Sequence, residues 1–375
     1  IDVYDFCFSS DCCHDCKGVY LVDDIAMHGG DIYSYMEMNG AKPLDYSANI
    51  NPLGLPDNVK KALAQSIESY SAYPDTNCRK LKEAVSAYEK FEADCILFGN
   101  GAADIIYRIC YALRPKTALL TAPTFSEYGQ ALENTGCKIE YFGLSPEYGF
   151  TVGTGILEQV SGKDIVFICN PNNPTGNLAD RSLIYKLAEK CRKENCILVI
   201  DECFMDFVAE KKSYSFIEYL EDFDNVIIVK AFTKIFAMAG FRLGYCLCSN
   251  KEILLKIEKA GQPWSVSTPA QVAGIAAIGD KDYLIRTARI IDEERGYLSK
   301  NLSSFGFTVF ESHTNFILFK AEQTDLYDRL YKKGVLIRKC ANFKGLDDTY
   351  YRIAVRCRED NEKLINAISE VIKNG

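Results

Sequence analysis

Lys234 stands just past an apolar run, and Arg242 follows it beside two glycines in the stretch VKAFTKIFAMAGFRLGY, residues 229–245. Most lysines sit in water and need no explanation. A desolvated lysine is different: it releases its proton readily and becomes a nucleophilic amine able to form a Schiff base. An arginine beside it offers a planar fork for a phosphate. Upstream, VIDECFMDF (199–207) puts Asp201 at the end of an apolar run, where a carboxylate is costly unless paired or hydrogen-bonded. A helix cap or a structural ion pair would satisfy it, and so would a ring nitrogen that has to stay protonated. NPNNPTG (170–176) is turn-forming, and an asparagine amide in it could also donate to a phenolic oxygen. GNGAAD (99–104) is a glycine-bearing turn that opens a helical pattern. Free N–H groups there suit a phosphate, although a plain tight turn explains the residues equally well.

Such residues work only if elements hold them at one edge. Short apolar runs alternate with helical patterns from about Cys95 onward: CILF, TALLTA, DIVFIC, CILVID, NVIIVK and LGYCLC. Strands apolar throughout and separated by helices predict a parallel sheet covered on both faces. In such sheets ligands bind outside the carboxyl ends of the strands, where the four signals fall. After AGQPWSVS (260–267) a long helical stretch over about 269–304 is predicted, then FTVFESHTNFILFK, GVLIRKC, YYRIAVR and a closing helix. The reading is an α/β chain, with a large domain on a mainly parallel sheet and a smaller α+β domain. Its expected divisions are an arm over 1–27, a segment over 28–75 serving the small domain and the site, a large domain over 76–265, and a small domain over 266–375. The whole polar set asks for one ligand with a phosphate, a phenolate-type oxygen, a basic ring nitrogen and an aldehyde. Pyridoxal 5'-phosphate carries all four.

The chain has 375 residues with a formal net charge of −8, which suits one large domain with a smaller companion. An acidic chain without a Lys/Arg cluster argues against nucleic acid or an anionic membrane as partner. Cations for an anionic ligand must therefore be local. No apolar run approaches the roughly 18 residues of a membrane span, and no signal-peptide pattern opens the chain. The start at Ile1 suggests a trimmed or partial N-terminus. The 16 cysteines are read as reduced thiols of a cytoplasmic protein.

From about Met27 onward, the order of glycine turn, aromatic, Asn-Pro-Thr-Gly, Asp-Glu, Lys and Arg resembles the fold-type-I pyridoxal-phosphate-dependent transferases. The resemblance implies that Lys234 holds the cofactor covalently, Asp201 meets the ring nitrogen and Asn173 the ring oxygen. It implies Gly101, Ala102, Ala103, Thr233 and Arg242 at the phosphate, with Phe125 stacked on the ring, although ordinary core packing also explains a phenylalanine. It implies that Tyr73 reaches the cofactor phosphate of a neighbouring subunit, hence a homodimer with shared sites. HGGDIY (28–33), LDYSANINPLGLP (44–56), YPD (73–75), DECFMDF, HTNFILF and LIRKCANFKGLDDTYYRIAVR resemble one branch, the threonine-phosphate decarboxylases of cobalamin biosynthesis. These are relatives of the histidinol-phosphate aminotransferases. The aminotransferases usually read Asp-Glu-Ala-Tyr where this chain reads Asp201-Glu202-Cys203-Phe204, and the missing tyrosine hydroxyl favours the decarboxylase branch. Ala231 stands where a serine or threonine is common, so one phosphate hydroxyl is absent.

A substrate carrying both a carboxylate and a phosphate calls for arginines. The resemblance implies Arg352 for the carboxylate and Arg338 beside the substrate; surface salt bridges are the plainer account of each. His28, Gly30 and Asn51 are further candidates for the substrate's phosphate or carboxylate. The implied reaction converts L-threonine O-3-phosphate to (R)-1-aminopropan-2-ol O-phosphate. The alternative is transamination of histidinol phosphate or a related amino-acid phosphate. A third class, a sensor that keeps the pocket without the chemistry, would carry a basic DNA-binding module, which the short Cys-rich arm does not resemble. In that arm Cys7, Cys12, Cys13, His14 and Cys16 cluster, with ligand-like spacing only between Cys13 and Cys16. Metal binding, a redox pair and a reduced tail all remain open there.

Overall fold

The computed structural model describes residues 29–373. The Cys-rich cluster and His28 lie outside them. Among the described residues the strands form a seven-stranded, a four-stranded and a two-stranded sheet. The large sheet is built from the apolar runs read in the sequence: Ile96–Asn100, Thr117–Ala122, Ile165–Cys169, Ile197–Asp201, Val226–Ala231 and Leu243–Leu247. Val226, Ile227, Ile228 and Val229 are all fully buried, as expected of a strand covered on both faces. A strand that sequence reading passed over, Lys138–Gly143, pairs with Thr117–Ala122 at the sheet edge. Its half-exposed, charge-bearing pattern lacks the apolar signal of its neighbours.

The sheet is parallel except for Leu243–Leu247, which runs antiparallel to both Val226–Ala231 and Ile96–Asn100. That reversal matters for the site. A strand running backwards begins at the edge where the others end, so Arg242 arrives beside the ends of its neighbours. The register sets Cys169 opposite Asp201, Asp201 opposite Val229, and Gly244 between Gly99 and Ala231. Helices cover the faces. Arg181–Lys193 is typical: Asp180 caps its first turn by accepting from the Ser182 N–H, and basic Lys190, Arg192 and Lys193 sit at its carboxyl end, where the helix dipole favours cations.

The predicted long helix over 269–304 is instead two, Thr268–Ile278 and Lys281–Ser304. Asp280 starts the second by accepting from the Tyr283 N–H at 2.9 Å; its cap function outweighs the continuous apolar pattern. Beyond them Thr308–Val309, Phe316–Lys320, Arg338–Lys339 and Tyr350–Ala354 form an antiparallel sheet. The N-terminal segment joins this part, with Leu44–Asp45 pairing parallel to Val335–Leu336 and the Tyr46 hydroxyl donating to Asn361 Oδ1 at 2.8 Å. Among the described residues no helix is long and apolar enough to cross a membrane.

Candidate active site

A cavity of about 430 Å³ opens where the strand ends meet the smaller sheet. Lys234, Asp201, Asn173, Ala102, Ala103, Phe125, Thr233, Arg242, Arg338 and Arg352 all line it. Each arrives for a local reason. Lys234 sits on a short helical turn, Phe232–Ile235, directly after its strand. The turn is pinned from outside: the Asn51 N–H donates to the Lys234 carbonyl at 3.3 Å, and the Asn51 amide donates to the Ile235 carbonyl at 2.7 Å. Asn51 is therefore spent on holding the lysine turn and does not line the cavity. Asn49, two residues earlier, does.

The NPNNPTG turn divides its asparagines between building and reaching. Asn170 Oδ1 accepts from the Ala179 N–H at 3.0 Å, and the Asn172 amide bridges the Pro123 carbonyl and Thr175 Oγ1, each at 3.0 Å. Asn173 alone faces the cavity, with its Oδ1 taken by Arg352.

At one end lies an anion cradle. Helix Gly101–Leu113 begins there, and its cap residue Asn100 makes no side-chain hydrogen bond to it. The first N–H groups of such a helix need partners. Gly101 has φ +82°, and a Cβ there would come within 2.7 Å of Arg242 Nη2. A Cβ on Gly244 would meet the Ala102 nitrogen at 2.5 Å. Only glycines let strand, helix start and guanidinium converge so closely.

At the other end Asp201 is buried. Its Oδ2 accepts from the Tyr128 hydroxyl at 2.5 Å and its Oδ1 from the Cys203 N–H at 2.9 Å. Burial raises its pKa above the usual carboxylate range, against the pull of these donors, and no cation of the described residues pairs with it. Lys234 is displaced the other way: burial, then the nearby Arg352 and Arg242 charges, push its pKa down to about 8. Its amine has no hydrogen-bond or ion-pair partner among the described residues.

Two arginines of the cavity wall are paired by register, Arg338 opposite Arg352 on adjacent antiparallel strands. Like charges in that relation repel. Burial lowers both guanidinium pKa values, that of Arg352 to about 10. Arg352 donates to neutral partners, Asn173 Oδ1 and the Ser47 carbonyl, and its Nε has no partner among the described residues. Arg338 donates to Asn342 Oδ1 at 2.9 Å and lies over the Phe343 ring. Buried cations set side by side, in a chain that is acidic overall, make a site for an anion.

Besides Asn51 and Gly101, the candidates Gly30 and Tyr73 do not line the cavity. Gly30 lies behind it, its N–H donating to Ser47 Oγ at 2.7 Å, while Gly29 lines it. Tyr73 is 80% exposed and stacks on Trp264 at 4.6 Å, outside the cavity. Sequence reading missed Tyr128, Ser47, Asn49, Cys169 and Phe343. Tyr128 lies in the first turn of helix Glu127–Glu133, three residues after Phe125, whose ring it meets edge-on at 5.6 Å. The described residues contain no cluster of metal-ligating type.

A phosphorylated pyridine aldehyde fits these residues. The helix-end cradle and Arg242 match its phosphate, the uncompensated buried Asp201 its ring nitrogen, the Asn173 amide its ring oxygen, and the unpartnered Lys234 amine its aldehyde.

The aminotransferase class I and II family matches residues 41–369, and the chain belongs to that family. It is 36% identical, over 92% of its length and 96% of the relative, to the threonine-phosphate decarboxylase of Salmonella typhimurium. It is 33% identical, over 92% of its length and 41% of the relative, to an adenosylcobalamin biosynthesis bifunctional protein of Leptospira interrogans. Among solved structures, the histidinol-phosphate aminotransferase of Clostridium acetobutylicum matches with a TM-score of 0.83 at 32% identity, covering 88% of this chain and 99% of that one.

Proposed function

We propose that the protein is a pyridoxal-phosphate-dependent carboxy-lyase that converts L-threonine O-3-phosphate to (R)-1-aminopropan-2-ol O-phosphate for cobalamin side-chain synthesis. The observation that carries the reading is the cavity itself: an unpartnered amine of depressed pKa, with an anion cradle at one end, a buried carboxylate without a cation partner at the other, and two opposed arginines above. Its likeness to the Salmonella decarboxylase over nearly the whole chain supports the choice of substrate, and the name of the Leptospira relative supports the pathway.

Lys234 would hold the cofactor covalently, Asp201 its ring nitrogen, Asn173 its ring oxygen, and Ala102, Ala103, Thr233 and Arg242 its phosphate. When bound, the cofactor supplies a sink for the electron pair released as a bond at the substrate Cα breaks. The protein's own residues decide which bond that is. Arg352 would take the carboxylate as a planar fork and fix its orientation, so that the bond from Cα to the carboxylate is the one that breaks and the carboxylate leaves as CO₂. Arg338 neutralises the second anionic group and is braced by Asn342 and Phe343. Lys234, whose amine lines the cavity with its pKa lowered to about 8, would be the group that returns a proton to the substrate Cα. Phe204 lines the cavity edge-on to Phe316 at 5.0 Å and offers no hydroxyl, which keeps that wall apolar and limits competing proton transfers. Tyr73 is assigned to the site of a second copy, making the enzyme a homodimer.

Incubation with threonine phosphate and cofactor, without any 2-oxo acid, tests the reading. Release of CO₂ with one aminopropanol phosphate per CO₂ supports it. Turnover that needs 2-oxoglutarate and releases no CO₂ would make the enzyme an aminotransferase acting on an amino-acid phosphate such as histidinol phosphate.

A further inference from the structure

Asp201 faces a problem that its position creates. Burial makes a carboxylate a stronger base. A strong base opposite a ring nitrogen takes the shared proton for itself, leaving the ring neutral and a poorer electron sink. Something must weaken Asp201, and no lysine or arginine of the described residues pairs with it.

Two residues with no assigned role surround it. Tyr128, on helix Glu127–Glu133, is fully buried and donates its hydroxyl to Oδ2 at 2.5 Å. Its ring is fixed by stacking on Phe167 at 5.1 Å and by an edge contact with Phe125 at 5.6 Å, so the hydroxyl has one orientation available. Cys203 folds back on Asp201 through its N–H at 2.9 Å, which brings its thiol to the wall of the same cavity.

We propose that Tyr128 is a positioning residue whose hydroxyl donates to Oδ2 of Asp201, opposite the Cys203 backbone N–H on Oδ1, and weakens the carboxylate as a base, so that the proton shared with the cofactor ring stays on nitrogen. Hydrogen bonds to a carboxylate spread its charge and lower its proton affinity. Each of these donors opposes the effect of burial on Asp201. The proposal rests on the cofactor reading given above.

The test reconstitutes the full chain with pyridoxal 5'-phosphate labelled with ¹⁵N in the ring and reads the nitrogen shift. Tyr128→Phe keeps the ring stack and volume while removing the donor. The wild-type shift is expected to be that of a pyridinium. Tyr128→Phe should move it toward neutral pyridine. A wild-type shift in Tyr128→Phe, with a thermal melt showing the variant folded, overturns the proposal. A wild-type chain that takes up no labelled cofactor overturns the cofactor reading itself, and this proposal with it.

Discussion

Lys234 and Arg352 owe their chemistry to the same cause, burial of a cation without a counter-charge, and they respond to it differently. The lysine can shed its proton, and its pKa falls to about 8. The arginine keeps its charge near neutral pH, even with its pKa lowered to about 10, and waits for an anion. The lysine is nucleophilic only as the free amine. Below its pKa the neutral fraction falls about tenfold per pH unit, and above it the fraction saturates. Attachment of pyridoxal phosphate to cofactor-free protein, followed by absorbance, should therefore quicken with rising pH and level off near 8; a rise continuing to 10.5, the ordinary value, would contradict the burial argument. For Arg352, replacement by lysine keeps the charge and loses the fork. The expected cost is about 10- to 100-fold in kcat/KM, from loss of charge-assisted hydrogen bonds, read in steady-state kinetics with threonine phosphate. An unchanged kcat/KM would mean that the guanidinium does not touch the carboxylate.

The elements show which parts of the site could be read from residue types alone. Apolar runs buried on both faces announced six strands of the large sheet, because nothing else explains so many consecutive Val, Ile and Leu residues between helices. The edge that carries the cavity followed from the rule that parallel sheets bind at their carboxyl ends. The reversed direction of Leu243–Leu247 was not legible, since periodicity carries no polarity. Asn51 and Asn49 were indistinguishable in sequence, because which of them faces the cavity depends on where the lysine turn docks. Tyr128 went unnoticed because its partner, Asp201, is distant in the chain. The close packing of strand on helix start yields its own test. Gly244→Ala puts a Cβ about where the Ala102 nitrogen needs to be, 2.5 Å away in the present backbone. Overpacking of that kind costs about 1–3 kcal/mol, and the displaced helix start should also weaken the phosphate cradle. Thermal melting and cofactor titration should both show the loss; a variant with wild-type cofactor affinity would remove the helix start from the cradle.

At the scale of the whole molecule, the exposed Tyr73 stacked on Trp264 is the feature a single copy leaves unused. If each site draws its lysine from one subunit and Tyr73 from the other, two damaged chains can repair one site between them. Mixed after unfolding and refolding, Lys234→Ala and Tyr73→Ala chains should form dimers in which one site has both native residues. Activity above the sum of the two separate variants is the expected result. No gain, with dimers shown by sedimentation, would confine each site to its own chain. The acidic surface and the cation-lined cavity belong to the same scale: a net charge of −8 coexists with buried Arg338 and Arg352 because folding gathers cations that the sequence keeps apart.

Every scale depends on one covalent bond. Borohydride reduction of the cofactor-loaded protein, followed by proteolysis and mass spectrometry, should find the pyridoxyl group on the peptide containing Lys234 and on no other lysine. An unmodified Lys234 peptide, or the label fixed on a different lysine, would contradict the account.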